Sequence, residues 1–373
     1  MRVFFDARVI QDHFPGIGRY AWNLLAAMPQ WLAADDHLTI AHDPAAQNTR
    51  YDVAALAPAG DPRVRIVESR TPVFSLRNAI QGGPRGALSH YPYYARPYVG
   101  ARPTVTTLYD AIPFLYPGLV PSARTRMLIS VLTALAAQRG DAFFAISQAT
   151  ADDLTRRFPA LRGKVTVTPL AADASFSVSA AQSRAAAARA RYHLPERFAL
   201  YLASNKPHKN LVRLVEAWAE VVAAGETTPL IIAGHQDARF QHAPDRARAL
   251  DIQGAVRFIG DVSADIMPGL YGACALFVYP SLYEGFGLTP LEAMACGAPV
   301  ACSNTSSLPE VVGDAALRFD PLDPAEIAQA SLSILRDPAL AADLSRRGVE
   351  RARTFTWSDC ARKTVEIYRG LWR

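Results

Sequence analysis

The chain has 373 residues, half of them apolar and 20% charged, which suits a two-domain globular protein with an ample core and excludes a disordered or fibrous chain. Its longest apolar run, residues 127–137, is broken by Ser130 and Thr133 and is too short to span a bilayer; the first residues enter a strand without the charged-then-apolar pattern of a leader. The net charge of +5 is uneven: residues 1–195 hold 21 Lys+Arg against 13 Asp+Glu and residues 196–373 hold 18 against 21, which suits an anionic partner on the first half or reflects an Arg-rich, Ala-rich composition.

Residues 2–6 read as the first strand. A loop containing Pro15-Gly16-Ile17-Gly18-Arg19-Tyr20 follows, then a helix to about Met28. A glycine turn between first strand and first helix either cradles a phosphate or is only a tight turn. Further strands are predicted at 37–41, 63–67, 87–91 and 103–108, with an irregular stretch over 70–103, rich in Pro, Gly, Arg and Tyr, that suits an acceptor contact or a plain surface loop. Thr106 to Asp110 closes a strand. The helix over 122–139 carries Arg124 and Arg126 beside an apolar face, and suits either packing or a membrane surface. Strands at 143–147 and 165–167 flank a helix at 149–158, and 170–197 reads as the connector between domains.

The second half opens with a strand over 198–203 and the loop Ser204-Asn205-Lys206-Pro207-His208-Lys209-Asn210. A helix follows with Leu211, Leu214, Val215, Trp218 and Val222 on one face. Strands are predicted at 230–233 and 256–260, the latter ending Ile259-Gly260. Cys274, Cys296, Cys302 and Cys360 form no CxxC pair and read as small core residues of a reducing compartment.

Residues 275–303, ALFVYPSLYEGFGLTPLEAMACGAPVACS, read as strand, glycine loop, short helix and strand. Thr289 fits an N-cap, Pro290 the first helical position and Glu292 the third, a capping box. Gly285 and Gly287 free backbone N–H groups to face an anion at the helix start. Helices are predicted at 324–335, 338–352 and 357–371.

Glu284 and Glu292, with seven residues between them in EGFGLTPLEAMACGAPV, resemble the E-x7-E signature of the retaining glycosyltransferases of family 4. The resemblance implies an α/β chain of the GT-B fold: two Rossmann-like domains with parallel sheets facing a cleft, at 1–180 (acceptor side) and 181–355 (nucleotide sugar), and a C-terminal helix, 356–373, returning to the first. It implies that Glu284 serves the transferred sugar and Glu292 the donor ribose. Lys209, Gly16, Gly18 and the loop Gly285, Phe286, Gly287, Leu288 and Thr289 would serve the diphosphate, and Ile259 would lie near the base. Two positions depart from the family. Tyr109, before Asp110, stands where similar chains often carry His near the sugar. Ser204 stands where an Arg is expected, with Lys206 as a substitute cation.

The chemistry implied is metal-independent, cofactor-free hexose transfer from a GDP- or UDP-sugar, GDP-mannose being favoured, to a glycan or lipid-linked glycan in cell-surface polysaccharide synthesis. The setting would be cytoplasmic, with peripheral contact to the inner membrane face through the basic first domain, and no nucleic-acid partner. A reading from another class is a non-catalytic nucleotide-sugar-binding or scaffold subunit of the same fold.

Overall fold

A computed structural model describes residues 1–100 and 102–372. It divides the chain into two compact units: Met1–Leu170 with the segment from Thr356 onward, and Ala171–Phe355. The first sheet holds β1 (Arg2–Asp6), β2 (His37–His42), β3 (Val64–Glu68), β4 (Leu88–Tyr91), β5 (Thr104–Leu108), β6 (Ala142–Ala145) and β7 (Val165–Val167), in the order β3-β2-β1-β4-β5-β6-β7. The second holds β8 (Ala199–Leu202), β9 (Leu230–Ala233), β10 (Val256–Gly260), β11 (Leu276–Tyr279), β12 (Val300–Ser303) and β13 (Leu317–Phe319), in the order β10-β9-β8-β11-β12-β13.

The pairings are parallel. Parallel strands need crossovers that cover both faces of the sheet, so the central strands are apolar runs rather than alternating ones. β8, β9, β11 and β12 are buried at every position. In each sheet the winding reverses once, between β1 and β4 and between β8 and β11. At such a point the loops leaving the two neighbouring strands diverge and open a crevice at their carboxyl ends.

The unit boundary falls at Leu170, before the helix Val178–Tyr192. That helix packs closely on the helix Met267–Ala273 of the second unit: a Cβ on Gly269 would lie 2.4 Å from Arg184 O, and one on Gly272 2.6 Å from Ala181 Cβ. The helix Trp357–Leu371 belongs to the first unit. Its Cys360, Ala361, Val365 and Tyr368 are buried, Tyr368 is bonded to His90 Nδ1 at 2.5 Å, and Arg369 Nη2 donates to Trp31 O at 2.7 Å.

One local expectation is corrected. Gly16 and Gly18 are not in a loop ahead of the first helix; the helix runs Pro15–Ala27, and both glycines lie in its first turn. Pro15, with its preset φ and no N–H to satisfy, starts the helix earlier than the glycines suggest. Gly18 is there for packing, because a Cβ would lie 3.1 Å from Val9 O, whereas Gly16 faces open space.

Candidate active site

Lys209 and Glu284 are 75 positions apart, and the strand order brings them together. Lys209 follows β8 and Glu284 follows β11, the two neighbours at the reversal point of the second sheet. Leu282 N donates to His208 O at 2.7 Å, and Ser281 Oγ to the same oxygen at 3.2 Å, so the two loops are tied backbone to backbone. Asn210, in the left-handed region at φ 63°, turns the first loop into its helix Leu211–Ala223 and donates to Pro321 O at 2.7 Å.

The core of the site is a three-way contact. Lys209 Nζ donates to Glu284 Oε1 at 2.5 Å and to the Tyr279 hydroxyl at 2.9 Å, and that hydroxyl donates to Glu284 Oε1 at 2.8 Å. The Lys209 and Glu284 side chains are 14% and 12% exposed, so the pair is largely desolvated. Burial pushes the Glu284 carboxyl up, but the charge and hydrogen bond of Lys209 more than offset it, and the carboxyl is held below its usual range. Burial first, then Lys209, pushes the His208 imidazole down to about 4. His208 is therefore neutral at pH 7, and the local charges are those of Lys209 and Glu284.

The backbone around Glu284 is fixed from a third loop. Glu284 N donates to Ser306 Oγ at 2.9 Å, and Ser307 Oγ donates to Glu284 O at 2.9 Å. Gly287 at φ 104° turns the loop into the helix Leu288–Ala295; a Cβ there would be strained and would lie 2.8 Å from Leu308 Cδ2. Tyr279, Ser306 and Ser307 were not singled out in the sequence. Tyr279 reads as strand core, and only its place as the last residue before the loop hints at a polar role.

The expected capping box does not form. The N-cap is Gly287, without a side-chain bond, so Thr289 is the second helical residue and Glu292 the fifth, too far along to reach back. Glu292 is instead 2% exposed and acts electrostatically on Tyr279 and Cys296. Phe286 is 4% exposed, its ring edge-on to Phe355 at 5.7 Å, while Leu288 and Thr289 are half-exposed at the helix start and Gly285 in the loop before it. Ser204 O accepts from the Tyr201 hydroxyl at 2.9 Å; Lys206 is exposed, and it is Lys209 that meets Glu284. Ile259 is half-buried on the edge strand β10, beside an irregularity in its pairing with β9. The four cysteines are buried, and burial pushes their thiols up to about 12.

In the first unit, Tyr109 and Asp110 stand at the end of β5 and line a cavity of about 140 Å³ with Tyr93, Tyr94 and Phe114. Asp110 Oδ1 accepts from Ile112 N at 2.8 Å. The Tyr109 ring is edge-on to Tyr20 at 5.4 Å, and its hydroxyl is buried without a hydrogen-bond partner among the described residues. Burial pushes that hydroxyl's pKa well above its usual value.

Residues 187–351 match the family profile "Glycosyl transferases group 1". Over the whole length of both chains the protein is 29% identical to the O-antigen chain mannosyltransferase B of Escherichia coli. It is 33% identical to the serotype-specific mannosyltransferase WbdA of Escherichia coli over 63% of this chain, which spans 29% of that protein. Its fold is that of sucrose-phosphate synthase from Thermosynechococcus elongatus (TM-score 0.75, 20% identity, covering 100% and 99% of the two chains) and of WaaG, a glycosyltransferase involved in lipopolysaccharide biosynthesis (TM-score 0.68, 16% identity, 99% and 100%). The two parallel sheets are thus those of the GT-B fold. Residues 187–351 carry the group 1 glycosyl transferase match, and the chain is a transferase enzyme similar to mannosyltransferases.

Proposed function

We propose that the chain is a retaining, metal-independent hexosyltransferase that moves a sugar from a GDP- or UDP-hexose to a glycan or lipid-linked glycan in cell-surface polysaccharide synthesis. Mannose is favoured by the two mannosyltransferase relatives, and GDP as its carrier by the family resemblance alone. The observation that carries this reading is the contact of Lys209, Tyr279 and Glu284 beside the start of the helix Leu288–Ala295.

Breaking the anomeric C–O bond puts negative charge on the departing diphosphate and positive charge on the sugar ring. Lys209, with the N–H groups that follow Gly285 and the positive end of the helix, offers charge to the diphosphate. Glu284 offers a carboxylate to the sugar's hydroxyls and to the cationic ring. In the protein without donor the two neutralise each other; an arriving diphosphate competes for Lys209, and the Tyr279 hydroxyl remains as a donor to Glu284. Glu292 would hold the ribose and Ile259 would flank the base. Gly16, Gly18, Tyr109 and Asp110 are the first unit's candidate contacts to the donor.

Membrane contact, on the inner face in the cytoplasm, would use the helix Ala123–Arg139. No helix among the described residues is long and apolar enough to cross a membrane, but this one exposes Met127, Leu128 and Val131 near Arg124 and Arg126. The test of the function is Glu284→Gln. Transfer from GDP-mannose or a UDP-hexose should fall about 10²–10³-fold, the usual cost of one charge-stabilising group, with nucleotide affinity kept and EDTA without effect on the wild type. Near-normal turnover would remove Glu284 from the chemistry, and activity lost in EDTA and restored by a divalent ion would defeat metal independence.

A further inference from the structure

Among its described residues the connection from β4 to β5 contains no helix, and it lays Arg96 against Thr104 and Thr106 of β5. Arg96 is 3% exposed. Its guanidinium donates to Thr104 Oγ1 and Thr106 Oγ1, each at 2.9 Å, and to Pro97 O at 3.0 Å, and lies 5.4 Å from the Tyr91 ring centre. All four partners are neutral, and no carboxylate forms an ion pair with it among the described residues. The carboxylate that acts on it is Asp141, which accepts from Thr104 Oγ1 at 3.3 Å, so the buried cation has only an indirect counter-charge, one that Arg102 also uses.

Two more arginines line the same cavity, of about 270 Å³. Arg102 Nε donates to Asp141 Oδ2 at 3.1 Å, and Arg139 Nη1 donates to Tyr98 O at 3.0 Å. Among the described residues Asp141 is the one carboxylate that pairs with any of the three, so three guanidinium groups share one counter-charge.

Apolar side chains stand beside the exposed Arg102 and Arg139. Val99 lines the cavity and is 58% exposed. Tyr98 N donates to Ala79 O at 2.9 Å, which sets the helix Leu76–Ile80 beside it, with Ile80 68% exposed. Gly100 meets Gly82 so closely that a Cβ on it would lie 2.6 Å from Gly82 Cα, which fixes this segment in place. One buried guanidinium, two exposed ones beside it and the neighbouring apolar side chains match an anion carried on an apolar chain.

We propose that this cavity binds the phosphate of a lipid-linked acceptor, with Arg96, Arg102 and Arg139 facing the phosphate oxygens and Val99 and Ile80 flanking the first apolar groups. The assignment rests on the glycosyltransferase reading only in naming the lipid as an acceptor. The cavity lies at the Thr104 end of β5, while Tyr109 and Asp110 stand beyond its other end. At about 3.3 Å per residue the two are separated by roughly 15–20 Å, a span that the sugars of a lipid-linked glycan would bridge.

The test is calorimetric titration of the full chain with farnesyl diphosphate, dihexanoyl phosphatidylglycerol, inorganic phosphate and farnesol. Farnesyl diphosphate should bind at least about ten-fold more tightly than the other three, a difference of about 1.4 kcal/mol. The double variant Arg102→Gln/Arg139→Gln, which spares the buried Arg96, should lose at least about ten-fold of that affinity at unchanged melting temperature and unchanged GDP or UDP affinity. Unchanged farnesyl diphosphate binding in that variant, or equal binding of farnesol, would overturn the site. Equal binding of inorganic phosphate would reduce it to a plain anion pocket, and equal binding of the phospholipid would overturn the acceptor assignment. Failure of the transferase reading would appear separately, as a wild-type chain that takes farnesyl diphosphate but no nucleotide.

Discussion

The second unit's sheet reverses at β8 and β11, and the first unit's at β1 and β4, with the same order of strands but a different means of holding the neighbouring side chains. In the second unit, Lys209 and Glu284 bring two opposite charges into a largely desolvated contact and Tyr279 bridges them. In the first, the ion pair is local: Arg8 donates from Nε and Nη2 to Asp6, the last residue of β1, at 2.7 and 2.5 Å, and Nη2 also reaches Asn78 Oδ1 at 2.7 Å, while the contacts that tie distant elements together are neutral. The Tyr20 hydroxyl meets Thr107 Oγ1 at 3.0 Å, Thr107 meets His90 Nε2 at 2.7 Å, and His90 Nδ1 meets the Tyr368 hydroxyl of the C-terminal helix. Phe14, Phe74, Tyr93 and Tyr94 cluster nearby with ring centres 4.1–6.4 Å apart. A buried ion pair contributes little net stability but makes the loss of either partner expensive, whereas a neutral chain of hydrogen bonds ties elements together and is insensitive to the arrival of an anion. The contrast is between an ion pair that joins two loops 75 positions apart in the second unit and one that closes locally at the end of β1 in the first, where neutral hydrogen bonds join the distant elements.

The contrast is most easily broken at Lys209. Lys209→Met leaves the Glu284 carboxylate buried beside Tyr279 and Ser281, and should cost about 3 kcal/mol at neutral pH by urea unfolding, the lower end for a broken buried pair because some exposure remains. The pH dependence follows from the depressed carboxyl of Glu284. A group held below its unfolded value contributes stability above that value and loses it as pH falls through the folded one. The wild type should show this contribution and the Met variant should not. Identical curves for the two would mean that the pair is not held in solution.

His90 sharpens the other side of the comparison. Burial pushes its imidazole from the ordinary 6.5 down to about 3, so it stays neutral in the folded unit and protonates first in the unfolded chain. Its contribution is complete above pH 6.5 and is lost as pH falls toward 3, at about 1.4 kcal/mol per pH unit. His90→Gln should flatten the acid limb of stability against pH by one proton between about pH 4 and 6; an unaltered slope would show that His90 is not buried neutral.

Glu292→Gln should change stability by less than about 1 kcal/mol, since no capping box is present to lose. If Glu292 holds the ribose, affinity for GDP or UDP falls in this variant while that for the 2′,3′-dideoxy nucleotide does not. Equal losses for both would assign Glu292 to packing. The smallest effect is expected at Tyr109. With its hydroxyl lacking a partner, Tyr109→Phe should leave stability within about 0.5 kcal/mol or raise it. A loss of about 0.5–1.5 kcal/mol in kcat/KM would then report a bond made only to a bound sugar.

Much of the fold was legible because both sheets are parallel and buried. Apolar runs such as 230–233 and 276–279 have few alternatives to a covered strand, and Pro324, Pro338 and the residues before them mark helix starts within a residue. The site's residue types were legible too: a glycine loop, two carboxylates and a lysine at a helix entry fit anion chemistry wherever they meet. The exact starts of the helices at Pro15 and Leu288 were not, because a proline preset in one case and a left-handed glycine in the other outweighed the capping residues in view.

What the order of residues could not contain is the meeting of Lys209 with Glu284, or of His90 with Tyr368. Local propensity and periodicity act over a few residues, and these partners are 75 and 278 positions apart. Strand order decides them: β11 pairs with β8 rather than with its neighbour in sequence, β10, and the last helix belongs to the first unit. Tyr279 shows the consequence at one residue. As a letter it closes an apolar strand, and only the pairing of β8 with β11 places its hydroxyl between a cation and a carboxylate.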